Sequence, residues 1–186
     1  DRYLCTPSGS SLATIEAADL VIADSQGHKV AGIGKVTSEF FTHLAAYEER
    51  SDVFAVVHAH PPRAVALTVA GISLAEPLLP EVVGSLGGIP TAPYATPATQ
   101  EGATSIRPLI RKCDAVLLDR HGAVTVGVDV WDALHKMEKV EHAAETVVWA
   151  HLLCTPSPLN EEQLVRLKRV REAYGAAGRW YDPRKE

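Results

Sequence analysis

His58-Ala59-His60 sets two imidazoles two positions apart at the end of an apolar, β-branched run, Val53-Phe54-Ala55-Val56-Val57, with Pro61-Pro62 directly after. In a strand, residues i and i+2 project from the same face. Side-by-side ring nitrogens suit adjacent positions on a divalent metal, at roughly 2.0–2.1 Å for zinc. The pair alone also reads as two polar residues closing a strand. A second segment repeats the arrangement: Ala115-Val116-Leu117-Leu118 runs into Asp119-Arg120-His121-Gly122. This puts a histidine at the mouth of another buried strand, followed by a glycine that allows a sharp turn or the close approach of a ligand. Three neutral imidazoles with an open fourth position form the ligand set of a catalytic rather than a structural zinc. The open position lets the metal polarise a substrate oxygen.

Around these histidines the chain alternates strand and helix signals, an α/β pattern. Tyr3 to Thr6 is a short strand ending in a turn at Pro7-Ser8-Gly9-Ser10. A strand within Ala17 to Ala23 leads to a hairpin turn at Ser25-Gln26-Gly27-His28. Ser38 to Glu49 predicts a helix with Phe41, Leu44, Ala45 and Tyr47 near one face, Ser38 as its cap and Glu39 in its first turn. Pro62 to Val69 predicts a short helix with proline at its start. Residues 71 to 100, rich in proline and glycine, offer loops with short strands. Helices follow over Glu101 to Lys112, Val130 to Leu153 and Asn160 to Tyr174, with a strand over Val124 to Val128. Asn160 is the expected N-cap of the last helix, Gly175 lies near its C-cap, and the tail from Asp182 to Glu186 reads as frayed and charged.

Composition excludes several functions. The 186 residues, 46% hydrophobic, suffice for one domain with a sizeable core. A net charge of −5, with no Lys/Arg block before the C-terminal tail, argues against nucleic acid as a partner. No apolar run approaches the ~18–20 residues that span a bilayer, and no signal peptide is visible, which argues against a membrane. Cys5, Cys113 and Cys154 are odd in number and widely spaced, as expected of free thiols in a reducing cytoplasm.

Five motifs in order carry a family resemblance: Thr-Pro-Ser-Gly at 6–9, Thr-Ser-Glu-x3-His at 37–43, His-Ala-His-Pro at 58–61, Pro-Tyr-Ala-Thr at 93–96 and Arg-His-Gly-Ala-Val at 120–124. Together they resemble the class II aldolase and adducin family, particularly its fuculose-1-phosphate aldolase branch, from about Tyr3 to about Tyr174. The resemblance implies a three-layer α/β/α sandwich around a central, largely antiparallel mixed sheet. It implies a single such domain over 1–186 whose N-terminal portion is missing ahead of Asp1. It implies Zn2+, or Mn2+, Co2+ or Mg2+, on His58, His60 and His121, with Glu39 as the catalytic acid/base that also sits on the metal at rest. Ser8, Gly9, Thr37 and Ser38 match the family's phosphate pocket, and Tyr174 matches a C-terminal tyrosine proposed as proton donor. A fourfold-symmetric homotetramer with active sites between subunits is implied as well, with a small phosphorylated sugar or hydroxyketone as substrate.

The residues suit that chemistry. Retro-aldol cleavage of a ketose phosphate requires the C4 hydroxyl deprotonated and the enediolate of dihydroxyacetone phosphate stabilised, which a chelating divalent ion supplies. A carboxylate beside the metal carries the carbon-bound proton in the reverse direction. Thr37-Ser38 at a helix N-terminus offers hydroxyls, free N–H groups and the positive end of the dipole to a phosphate. On the same fold, such a site also serves decarboxylation of a 3-oxo sugar-acid phosphate, epimerisation or dehydration of sugar phosphates, and adducin-like members use the fold as an interaction module without the metal ligands. The epimerases usually carry aspartate where Glu39 stands.

Departures and spare histidines complete the reading. The family's Asn-x-Ser phosphate segment has no counterpart, and Pro77 stands where the fuculose-phosphate branch has a tyrosine near its aldehyde. His43, one turn after Glu39, reads as a packing residue or a support for the ligands, with metal binding as the alternative. His135, His142 and His151 with Glu138, Glu141 and Glu145 read as a solvated or subunit-facing surface of the long helix. His28 reads as exposed, and Trp149 and Trp180-Tyr181 as core or interface residues.

Overall fold

Ala115 and Leu117 point one way along their strand, Val116 and Leu118 the other, and all four are buried. A strand apolar on both faces needs a helix layer on each side. The computed structural model, which describes residues 1–175 and 178–185, supplies both. In chain order the elements are β1 (Arg2–Cys5), β2 (Val21–Asp24), β3 (Lys29–Ala31), α1 (Phe40–Glu49), β4 (Ala55–Ala59), α2 (Pro62–Ala70), α3 (Pro80–Ser85), β5 (Thr91–Ala92), α4 (Gln100–Ile110), β6 (Ala115–Leu118), β7 (Gly122–Gly127), α5 (Val130–Leu153) and α6 (Glu161–Ala173), with 3-10 turns at Ala17–Asp19 and Pro183–Lys185.

The central sheet has the order β4-β7-β6-β5. Its β4–β7 and β7–β6 pairs are antiparallel and only β5–β6 is parallel. Ala115, Leu117 and Ala123 pack with Ala64 and Leu67 of α2 and with Met137, Val140, Ala144 and Val147 of α5. On the opposite face, Val116, Leu118, Val124 and Val126 pack with Ala45 and Ala46 of α1 and with Ala103, Ile106 and Ile110 of α4. Each fully buried valine, leucine or isoleucine among them contributes about 1.5–3 kcal/mol. The result is the expected three-layer α/β/α arrangement around a largely antiparallel mixed sheet. A separate antiparallel sheet, β1-β2-β3, leans on α1 through Ala23, Phe40 and Leu44.

The buried polar groups are paired. Arg50, 2% exposed, donates to both Asp52 oxygens, to Asp114 and to the Ile110 and Cys113 carbonyls. Lys136 of α5 closes the cluster on Asp114 and Asp132. This network ties the end of α1 to the α4–β6 corner and to α5.

Several sequence expectations hold closely. The long helix spans Val130–Leu153, capped by the Asp129 side chain on Asp132 N–H. Asn160 caps α6 in a reciprocal pair with Gln163. Three expectations are corrected. Ser38 does not cap α1: Glu39 occupies the cap position, and its backbone N–H donates to Thr37 Oγ1. Residues 71–100 contain a helix as well as loops, α3, which begins with proline at its first turn and packs on α6. The tail is not frayed over Asp182–Lys185, because Tyr181 pairs with Gly87 and Arg184 is bound to Asp182 and Glu161. Glu186 lies outside the described residues. Among the described residues no helix is long and apolar enough to cross a membrane.

Candidate metal centre and active site

The two-residue period of β4 aims its side chains. Val57 and Ala59 turn towards the α2/α5 layer and Val56 towards the α1/α4 layer. His58 shares the parity of Val56 and meets His43 of α1 edge to face, with ring centroids 6.2 Å apart. The pairing His58↔Val124 and Ala59↔Ala123 brings a β7 carbonyl beside the ring, and His58 Nδ1–H donates to Ala123 O at 2.9 Å. That bond leaves the lone pair on Nε2, the tautomer a metal ligand needs. Nε2 faces His60 Nε2 at 3.3 Å, just beyond the end of the strand.

His121 arrives on the hairpin between β6 and β7, which closes at Leu118↔Gly122. Arg120 takes the left-handed conformation there, at φ 57°, and its N–H donates to Thr68 Oγ1 at 3.0 Å. His121 N–H returns to Leu118 O. Arg120 therefore makes the sharp turn expected of Gly122, and the glycine serves close approach instead. A Cβ at position 122 would stand 2.3 Å from Ala59 O and 2.9 Å from His60 Cδ2. The three ring centroids are 5.0, 4.9 and 4.9 Å apart, and one ligand atom from each ring lies within 4.8 Å of the others. Burial holds His58 down to about 4 and lowers His121, so both stay neutral near pH 7. The Glu39 carboxylate pulls both the opposite way, which places its charge within electrostatic reach. Three converging ring nitrogens, with the His58 tautomer fixed, fit a divalent ion of the zinc type, which these three residues could hold.

Glu39 stands at the N-terminal cap of α1, with φ −90° and ψ 12°. Its Oε1 accepts from Ala98 N–H at 2.7 Å and its Oε2 from Thr42 Oγ1 at 3.3 Å. Ala98 sits at φ 60°, a strained setting for a non-glycine residue, just before the Thr99 cap of α4. His43 is pushed down to about 4 by burial and then by its neighbour His58.

The two segments expected to bind an anion are held together by backbone contacts. Ser8 N–H donates to Lys35 O at 2.9 Å and Pro7 bridges Val36, so the turn carrying Ser8 and Gly9 lies along the segment leading to Thr37 and Ser38. Gly9 takes φ 77° with open space around its α-carbon. Ser8, Gly9 and Ser38 are exposed, while Thr37 is half-buried. Tyr174 is not brought to the histidines: it caps α6, 86% exposed. Sequence reasoning missed the Ala98 amide, the Thr68 hydroxyl and the Ala123 carbonyl, all supports rather than chemistry-bearing groups.

Comparison with known proteins identifies the family and the fold. A family model described as Class II Aldolase and Adducin N-terminal domain matches residues 1–148. The L-fuculose phosphate aldolase of Escherichia coli (strain K12) is 30% identical, over 94% of this chain and 81% of its own length. The 3-oxo-tetronate 4-phosphate decarboxylase of Cupriavidus necator is 31% identical, over 97% of this chain and 83% of its own. A solved structure of L-fuculose 1-phosphate aldolase superposes with a TM-score of 0.82 at 27% identity, covering 92% of this chain and 80% of that one. The chain belongs to the class II aldolase and adducin family.

Proposed function

We propose that this protein is a metal-dependent lyase that cleaves a small ketose phosphate by a retro-aldol reaction, in the manner of L-fuculose-1-phosphate aldolase, with residues 1–186 acting as one domain. The observation that carries the reading is the convergence of the His58, His60 and His121 ring nitrogens, with the His58 tautomer fixed by Ala123 O and the Glu39 carboxylate within electrostatic reach. A divalent ion on His58, His60 and His121, zinc in the first instance, would supply a Lewis acid that polarises the substrate carbonyl. Glu39 holds the mobile proton: after the C3–C4 bond breaks and its electrons pass to C3, the carboxyl group delivers a proton to that carbon. The Ala98 amide and the Thr42 hydroxyl aim its two oxygens. Ser8, Gly9, Thr37 and Ser38 bind the phosphate, using hydroxyls and backbone N–H groups near the start of α1. Assembly is a homotetramer with active sites between subunits. In it Tyr174, exposed on its own subunit, serves a neighbouring site: it takes the C4 hydroxyl proton during cleavage and is the proton donor to the aldehyde oxygen in the reverse, condensing direction. The thiols at positions 5, 113 and 154, none of them in a disulfide, support a reducing, cytoplasmic setting.

Similarity to the decarboxylase supports a second reading, decarboxylation of a 3-oxo sugar-acid phosphate, because loss of CO2 also leaves an electron pair at carbon for Glu39 to protonate. The test is proton NMR of dihydroxyacetone phosphate in D2O with metal-loaded protein and an EDTA-treated control. Metal-dependent, stereospecific loss of one C3 proton signal is expected. Absence of exchange from protein shown to contain metal discards this phosphate donor. Release of CO2 from a 3-oxo-tetronate phosphate, against cleavage of fuculose 1-phosphate, then separates the two readings.

A further inference from the structure

Of the three histidines, His58 is locked by the Ala123 carbonyl and His121 rides on a closed hairpin. His60, the exposed member of the triad, has its ring against the other two rings, and its backbone leads straight into α2. The start of that helix is unusual. Pro61 is its N-cap and Pro62 its first residue, so neither position offers an N–H. The next two N–H groups, of Arg63 and Ala64, both donate to the carboxylate of Glu141 on α5, at 3.2 and 3.1 Å. The Arg63 guanidinium clamps the same carboxylate at 3.3 Å and reaches Glu145 at 3.0 Å. The next N–H, of Val65, returns to Pro61 O, so the helix begins with every early donor satisfied by one distant side chain or by its own cap. At the far end of α2, the buried Thr68 hydroxyl donates to Val65 O and accepts the Arg120 N–H of the His121 turn.

We propose that Glu141 is a positioning residue for the metal centre: by capping α2 from α5, it fixes the helix that places His60 and, through Thr68, the turn that places His121. The proposal rests on the triad being a metal site, and its test separates the two ideas. Glu141 touches neither metal nor substrate; it acts through α2. A carboxylate at a helix N-terminus meets both the free donors and the positive end of the dipole. Loss of this support is therefore expected to loosen the ligand geometry without removing a ligand.

The experiment measures Zn2+ affinity by competition with a chromophoric chelator, and the visible spectrum of the Co2+-loaded protein, for the parent, Glu141→Ala, Glu141→Gln and Asp129→Ala. The last removes the cap of α5 and reports what general destabilisation does. Glu141→Ala is expected to weaken Zn2+ binding by about 10- to 100-fold, the range seen when supports of metal ligands are lost, and to alter the Co2+ bands. Glu141→Gln, which keeps one carbonyl acceptor for the helix, should recover part of the affinity, and Asp129→Ala should match the parent. Should Glu141→Ala not fold, Glu141→Gln carries the test with the same spectrum and a smaller loss. Glu141 variants with the affinity and spectrum of a metal-binding parent overturn this proposal alone. A parent that binds neither ion overturns the metal reading and this proposal with it.

Discussion

The proposed metal centre and the proposed anion pocket are built from different materials. The three histidines issue from the central sheet and its hairpin, where Ala59, Val124 and Ala123 lock their surroundings and a carbonyl fixes the tautomer of His58. The pocket at Ser8, Gly9, Thr37 and Ser38 lies on turns, mostly exposed, joined by one backbone hydrogen bond and one bridge. A rigid frame suits the group that must hold an ion to within tenths of an ångström. Turns suit the group that decides which substrate is held, since they change without disturbing the core. The proposed chemistry thus sits where substitution is costly, and the proposed specificity where it is cheap.

The sharpest way to break the comparison is His58→Ala. Bound metal, measured by elemental analysis, and turnover should both disappear; affinity should fall by more than the roughly 100-fold expected for loss of a mere support. Glu39→Gln should keep the metal and lower kcat by about 10^2- to 10^4-fold, so a fully active variant would remove the acid/base role. Two glycines then contrast the regions directly. Gly122→Ala forces a methyl group against Ala59 O and His60, and should cost about 1–3 kcal/mol in denaturant unfolding together with metal affinity. Gly9→Ala meets only open space and pays for its positive φ alone, about 1–2 kcal/mol within the turn, so KM for a phosphorylated substrate should rise while metal content stays put.

The smallest effect lies outside both regions. Hydrogen bonds from Arg50 hold the Asp52 carboxyl at about 2, below its unfolded value. A depressed folded pKa means that the stabilisation is present above about pH 4 and is lost as pH falls through about 2. Asp52→Asn should therefore lower the melting temperature modestly at pH 6, Asp52 being half-exposed, and the gap from the parent should close on acidification. A gap that stays constant to pH 2 would show that the charge is not what Arg50 uses.

Much of this was readable in the chain because it depends on short-range pattern. The apolar runs before His58 and His121 predict strands, the period of two predicts the facing imidazoles, and Asp129 and Asn160 mark their helices by side-chain caps. What escaped depends on contacts between distant segments. The Ala98 amide that aims Glu39 comes from 59 residues away, and nothing about an alanine announces a hydrogen bond. The C-terminal tail looks frayed because its charges suggest solvent. Its order comes instead from Gly87, where a Cβ would strike Tyr181 O at 2.2 Å, so only glycine admits the pairing. Ser38 lost the cap to Glu39 for a related reason: the Glu39 carboxylate accepts from Ala98 N–H, in the loop ahead of α4, and from Thr42 of α1, and the helix starts where those partners hold it.

The alternation of β4 also bears on how this gene can change. Val57 and Ala59 belong to one layer and Val56 and His58 to the other, so deleting a single codon ahead of His58 would swap the layers and drive an imidazole into the aliphatic packing of α2 and α5. Substitutions can move through this strand one at a time, but length changes cannot. The exposed run from Ser10 to Thr14, between β1 and β2, has no such bookkeeping and is where insertions should accumulate.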